Sequence, residues 1–466
     1  MLLYNIPKIS ARYHLKHIKV HNGTGVRGLG QRRKIMKTRK MKKWVALSMT
    51  SLMAVSVLAG CGGDSDPGEK KGGEAASGKT EIVVWTRDST VAAVKSAAEK
   101  YNEQNENVEV KVVEQPASQM ADQLSLALSS GEAPDIVSLD CTKVPYFASI
   151  GAFADISDKY EALDYKDAFS EGMIKSGQLE GKTYAVPFAP DVSVLLYNKD
   201  QYQEAGLDPE TPPKTWEELI DYSQKLTTAD RYGYVYAGGD AGGHMFTFMP
   251  YVWNNGGEVL SEDGKTCELD SENAVAALAM FNDLTNTYKV TPPSVTTYSW
   301  NEAQDAFLTG KASQVVLGSA AIYSFISGEH GDMNWGACLL PKGPDGTEYA
   351  SFSGGDSIGV TSQCKDVDAA WEFIQFSLSK EVQVDELAKG GLLPSRSDFF
   401  DNEYFNNTPE YQVLKEALEV GHTPVSLKYD EMYVPILEAM QTCLNGEKTP
   451  EQAFKDAAEA INKIMQ

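Results

Sequence analysis

The sequence predicts a two-lobed α/β body standing behind an N-terminal leader and a flexible tether. Three observations predict it. A basic run is followed by a short uncharged stretch that ends at a cysteine, a Gly- and Ser-rich segment comes next, and after it strand-like and helix-like patterns alternate. The remaining body, residues 81–466, is longer than one hydrophobic core usually supports, which argues for two lobes.

Lys37, Arg39, Lys40, Lys42 and Lys43 precede the stretch Trp44 to Leu58, which carries no charge. About fifteen residues are too few to span a bilayer comfortably. A basic flank, a short apolar core and a small-residue exit form the pattern of a secretory signal. Leu58-Ala59-Gly60-Cys61 resembles a bacterial lipobox, which implies that Cys61 is acylated, as with palmitate, and becomes the first residue of the mature protein. The alternative is an uncleaved anchor with an incidental cysteine. Residues 1–61 are therefore expected to be a leader. Translation is expected to begin at Met36 or Met41, with residues 1–35 upstream of the true start.

Charge divides the chain at the same place. Residues 1–60 hold thirteen of the 42 Lys+Arg and none of the 65 Asp+Glu, so residues 61–466 keep 29 basic and 65 acidic groups, a net of −36. So acidic a body repels phosphate backbones, which excludes nucleic-acid binding. It is also not drawn to an anionic membrane, so membrane attachment would rest on the lipid, and stable attachment takes two or more acyl chains. Residues 62–80, nearly free of hydrophobes, read as a flexible tether.

Beyond the tether the elements can be taken in order. Ile82-Val83-Val84-Trp85 is an apolar run and reads as a buried first strand. Apolar residues at helical spacing from Val91 to Tyr101 give a helix, and the alternation Val108-Glu109-Val110-Lys111-Val112 gives a second strand. A helix around Met120 to Leu128 ends at Gly131, and Asp135 to Leu139 forms a third strand. This alternation predicts a parallel sheet, whose ligands sit beyond the carboxyl ends of the strands. Arg87, Asp88, Asp140, Thr142 and Lys143 then fall on the rim of a cleft. Capping boxes are expected at Thr215–Glu218, Thr449–Gln452 and Ser299–Glu302. Cys141, Cys267, Cys338, Cys364 and Cys443 have no CxxC spacing, so they read as scattered buried thiols, with one disulfide as the alternative, and not as a metal site.

Nine segments then occur in order. They are Ala133-Pro134-Asp135-Ile136-Val137, Gly181 to Pro187 (GKTYAVP), Leu196-Tyr197-Asn198-Lys199-Asp200, Ala205-Gly206-Leu207, Pro213 to Glu218 (PKTWEE), Asn255-Gly256-Gly257, Phe307 to Ala312 (FLTGKA), Leu340 to Pro344 (LPKGP), and Asn445-Gly446 before Thr449 to Ala453. Together they resemble extracellular solute-binding proteins of carbohydrate ABC importers, the maltose-binding type. The resemblance implies a periplasmic-binding-protein-like fold, with two α/β lobes joined by an interlobe hinge and closing a cleft on a sugar. The lobes are expected at 81–189 plus 355–395 and at 190–354 plus 396–466. It further implies a monomer that needs no cofactor or metal, binds a mono- or oligosaccharide and meets permease subunits of an importer. Its place would be the extracellular face of the cell membrane of a Gram-positive type bacterium, held by lipid at Cys61.

Sugars suit particular side chains. Their hydroxyls pair with carboxylates, amides and cationic groups, and their C–H faces pack on aromatic rings. Carried over from the family, the ligand-binding positions are Trp85, Arg87 and Asp88 after the first strand, and Asp140, Thr142 and Lys143 after the third. Asp191, seven residues before Asn198, is expected to be the principal anchor, with helix capping by the same carboxylate as the alternative. Phe246, Trp253 and Tyr433 are the expected rings, and Gly355 and Asp356 are expected near a hinge crossing. One departure stands out. Where members often carry a Trp after the Gly-Lys-Ala strand, this chain has Leu317-Gly318-Ser319-Ala320-Ala321, so Tyr323 or Trp300 takes that place or the ligand differs in shape there.

The competing class is a surface glycosidase acting on oligosaccharides, which needs a pair of carboxyl groups at a set separation. No local signature selects such a pair. The histidines after the leader, His244, His330 and His422, show no HExxH spacing, and no GxSxG or P-loop segment is present.

Overall fold

The computed structural model describes residues 79–117, 119–326 and 333–466, without the side chains of 320, 323, 324 and 326. The leader with Cys61, the tether up to residue 78, the side chain of Tyr323, and His330 lie outside the described residues. Among the described residues eleven strands run in chain order: β1 Thr80–Arg87, β2 Val108–Gln115, β3 Ile136–Asp140, β4 Gln178–Leu179, β5 Lys182–Thr183, β6 Val186–Val192, β7 Val194–Asn198, β8 Gln314–Leu317, β9 Trp335–Cys338, β10 Ser351–Val360 and β11 Gly421–His422.

The larger sheet has the order β11-β10-β3-β1-β2, with β6 paired to β10. β1 runs parallel to both β2 and β3, as the strand–helix alternation predicts. β10 is inserted antiparallel to β3 and β6. On β1, Ile82, Val84 and Thr86 are buried in alternation, so one face of the strand points into the sheet's core. Helix Val91–Gln104 covers that face with Val94, Ala97 and Tyr101, and the Tyr101 ring meets Phe373 edge-on at 5.4 Å. Helix Met120–Ser130 stops where expected, because Gly131 takes φ 76° and its N–H closes the last turn.

A second, antiparallel sheet, β8-β7-β9, carries its own core. Leu195 and Leu196 of β7 are fully buried there, with Phe281 surrounded by Tyr236, Phe248 and Tyr251 at ring separations of 5.1, 4.9 and 5.3 Å. The two lobes are therefore two packing units. The chain changes core between Ala189 and Val192, again between Phe352 and Ile358, and again between Leu387 and Ala388.

Capping follows the sequence fully at Ser299 and in half at the other two sites. Ser299 and Glu302 form the complete reciprocal box, whereas Thr449 accepts from Gln452 N but the Gln452 amide turns away to donate to Asp456 at 2.7 Å. Thr215 accepts from Glu218 N, but the Glu218 carboxylate reaches past the cap to Lys214 N at 2.7 Å. The residue before the cap supplies the donor because Thr215 is extended (φ −130°, ψ 161°) and leads in along a bridge to Lys342. Cys141, Cys267 and Cys443 are buried free thiols, and Cys338 and Cys364 are half-buried free thiols. Among the described residues no helix is long and apolar enough to cross a membrane.

Candidate functional site

The register of the larger sheet assembles the charged centre. Asp356 of β10 pairs with Asp140 of β3, and Arg87 ends the neighbouring β1. Two carboxylates opposite one another on a sheet repel. The Arg87 guanidinium lies between them, with Nη1 donating to Asp140 Oδ2 at 3.2 Å and Nη2 donating to Asp356 Oδ1. Its planar fork can bond two acids at once. Asp356 is fully buried, and its other oxygen accepts from Thr90 Oγ1 at 2.9 Å and Ser138 Oγ at 3.2 Å. Asp140 Oδ1 accepts from Thr142 N at 3.0 Å and Thr142 Oγ1 at 2.7 Å, fixing the turn after β3. Burial disfavours the Arg87 charge, but attraction to Asp356 and Asp140 outweighs it, so its pKa lies well above the ordinary value. The guanidinium stays charged at any pH the protein meets.

Asp191 stands at the end of β6, where the chain leaves the first core. Its Oδ1 accepts from Ser319 N at 2.6 Å and Ser319 Oγ at 2.7 Å. Ser319 opens helix Ser319–Ile326, so the carboxylate meets the positive end of that helix. Burial raises the Asp191 pKa, while the bonds from Ser319 pull it down again. Gly318 now has a physical reason: a Cβ there would lie 2.5 Å from Asp191 Oδ2. A large ring at this point of the chain and Asp191 would compete for one place.

Arg87, Asp140, Thr142, Asp191, Phe246, Gly355, Asp356 and Tyr433 come together around one cavity of about 260 Å³. Tyr433 leans on Tyr429 at 5.0 Å, and burial raises the pKa of both phenols, so they remain protonated donors. Phe246 is braced by Trp300 at 5.6 Å and Phe352 at 5.3 Å. Trp300 is thus the support behind the ring and does not line the cavity. Four expected residues lie elsewhere. Trp85 shares a strand face with Arg87 but is packed against Val137, Leu139 and their neighbours. The Asp88 carboxylate is exposed and accepts from Ser89 N at 2.9 Å. Lys143 forms an ion pair with Asp430 at 2.6 Å. Trp253 is 7% exposed and stacks on His422 at 5.1 Å.

Trp253 and His422 belong to a larger cavity of about 880 Å³. Its charged groups, such as Glu171, Glu262, Asp263 and Glu419, are exposed on its margin. The smaller cavity is the better candidate, because its polar groups converge and are held in place before any ligand arrives. Sequence reasoning missed Thr90, Ser138, Ser319 and Tyr429. The first three are short hydroxyl residues whose role appears only through the carboxylates they hold. Tyr429 sits one helical turn before Tyr433, and that spacing was the available signal. Among the described residues no group of three or more His, Cys, Asp or Glu is placed to hold a metal.

Residues 86–384 match the family model described as bacterial extracellular solute-binding protein. The galactooligosaccharide-binding protein of Bacillus subtilis is 24% identical over 431 residues, covering 90% of this chain and 97% of that protein. The diacetylchitobiose binding protein DasA of Streptomyces coelicolor is 26% identical over 438 residues, covering 91% of this chain and 99% of that protein. Among solved structures, maltose-bound MalE3 of T. maritima superposes with a TM-score of 0.73 at 26% identity, covering 83% of this chain and 100% of that chain.

Proposed function

Because the chain belongs to the bacterial extracellular solute-binding protein family, we propose that it is the carbohydrate receptor of an ABC importer. It binds a mono- or oligosaccharide between its lobes and hands it to the permease. The relatives named for galactooligosaccharide, diacetylchitobiose and maltose support a saccharide as the ligand class. The observation that supports it most is the 260 Å³ cavity, where Arg87, Asp140 and Asp356 meet Asp191 and the rings of Phe246 and Tyr433. Carboxylates accept from sugar hydroxyls, phenols donate, and rings take the C–H faces. The protein works as a monomer anchored at an acylated Cys61, and the lobes 81–189 plus 355–395 and 190–354 plus 396–466 close by bending at the core crossings.

No observation supports a glycosidase. A glycosidase needs two carboxyl groups free to face the scissile bond, whereas Asp140 and Asp356 are both ion-paired to Arg87. The test is a thermal-shift screen against mono- and oligosaccharides, since a ligand that binds only the folded state raises apparent stability. With the best binder, Asp191→Ala is expected to weaken affinity roughly ten- to a hundredfold, the loss of about 1.5–3 kcal/mol for a bond to a charged group. Calorimetry reads this, and near-normal affinity would remove Asp191 from the site.

A smaller effect is expected at Lys143. The Lys143–Asp430 pair joins the helix end after β3 to helix Tyr429–Leu444, and Asp430 is 52% exposed. Such pairs contribute under about 1 kcal/mol, so Asp430→Asn should change sugar affinity by less than about fivefold. A larger loss in the same calorimetry would mean that the pair touches the ligand.

A further inference from the structure

We propose that the cavity selects its saccharide by charge, accepting neutral and amino sugars and rejecting uronic acids and sugar phosphates. This rests on the carbohydrate reading above and specifies the ligand class of the same site. The wall carries the carboxylates of Asp140, Asp191 and Asp356 against the single guanidinium of Arg87, which leaves two negative charges. Even a protonated Asp191 would leave one.

The positive charge is already committed. Arg87 Nη1 and Nη2 bond Asp140 and Asp356, so its charge is already balanced, and its Nε–H, which has no partner among the described residues, is buried out of a ligand's reach. Among the described residues no lysine or second arginine lines the cavity, and Lys143 is held by both oxygens of Asp430. Four hydroxyls are committed to the carboxylates, Thr142 to Asp140, Thr90 and Ser138 to Asp356, and Ser319 to Asp191, which leaves neutral donors such as the phenols of Tyr429 and Tyr433 for the ligand. The charged groups of the wall can therefore receive ligand hydroxyls or an ammonium, but offer no cation to a ligand carboxylate. An anion brought here would be stripped of water and set beside like charge, a juxtaposition that costs several-fold more than a missing hydrogen bond. Specificity often comes from such repulsion as much as from attraction.

The experiment uses matched sets at pH 6.5: glucose, glucosamine and glucuronic acid; the galactose counterparts; and cellobiose, the β-1,4 glucosamine dimer and cellobiouronic acid, with glucose 6-phosphate as the second anion. Calorimetry on the mature protein should show that in any set that binds, the anionic member is about a hundredfold or more weaker than the neutral or amino member. Asp191→Asn keeps the oxygen that accepts from Ser319 and removes the charge, so the gap should narrow about tenfold. A uronic acid that binds within a few-fold of its neutral partner would overturn selection by charge while leaving sugar binding in place. A gap untouched by Asp191→Asn would also overturn it, since exclusion would then come from shape. If no member of any set binds, the carbohydrate reading fails, and the selection falls with it.

Discussion

Replacing Arg87 with methionine is expected to destabilise the protein by about 3–5 kcal/mol, the range seen when one partner of a buried ion pair is removed. The reason lies in Asp356, which has no exposed surface. Thr90 and Ser138 would still donate to it, but no positive charge would balance it. Methionine fills much of the same volume, so the loss is electrostatic and not a cavity effect. The sign of the pH dependence follows. An unbalanced buried carboxylate has a folded-state pKa above its unfolded value. The penalty is then absent below the unfolded pKa and fully present above the folded one, so the variant should lose stability relative to wild type as pH rises. Chemical denaturation at several pH values measures this. The double variant Arg87→Met with Asp356→Asn should recover much of the loss, because it removes the stranded charge. If the double variant is as unstable as the single one, Arg87 acts through packing and the charge account fails.

Much of this arrangement could be read before any coordinates. Arg87 and Asp140 follow from the rule that parallel strands present ligands at their carboxyl ends, and β1 and β3 were visible as apolar runs. β10 was not visible by pattern. Its sequence, SFSGGDSIGV, has three glycines and three serines in ten residues, which reads as a loop; pairing on both edges with β3 and β6 makes it a strand. Asp356 thus came only from family resemblance, and its burial was invisible locally. The same limit applies to the rings. Phe246 and Trp253 lie seven residues apart on adjacent helices, yet one lines the cavity and the other stacks on His422. Periodicity says that a ring is on an apolar face, while long-range packing decides which cavity that face meets. The missing Trp near Ser319 is similar. Its cause, the Asp191 carboxylate, is more than a hundred residues away in sequence.

Changing Gly355 to alanine is expected to cost about 2–5 kcal/mol and to weaken sugar binding along with stability. Gly355 has φ 102°, a conformation that L side chains rarely adopt. Space is the second obstacle. A Cβ would sit 2.2 Å from Ala189 O and 2.6 Å from Asp191 N, both backbone atoms of β6. The contact falls opposite Pro190, which has no N–H to give the ladder, so a close approach of bare backbone holds β6 and β10 together here. Forcing the strands apart would move Asp191 on one side and Asp356 on the other, the two carboxylates nearest the core crossings. Gly354→Ala is the control. Its Cβ would meet the Phe352 ring at 2.7 Å, and a side chain can turn where a backbone cannot. Denaturation of the two variants should therefore rank Gly355→Ala well below Gly354→Ala, with sugar affinity following the same order. Equal losses would mean that crowding between β6 and β10 is not what position 355 requires, and that the neighbouring strands can separate without disturbing the carboxylates.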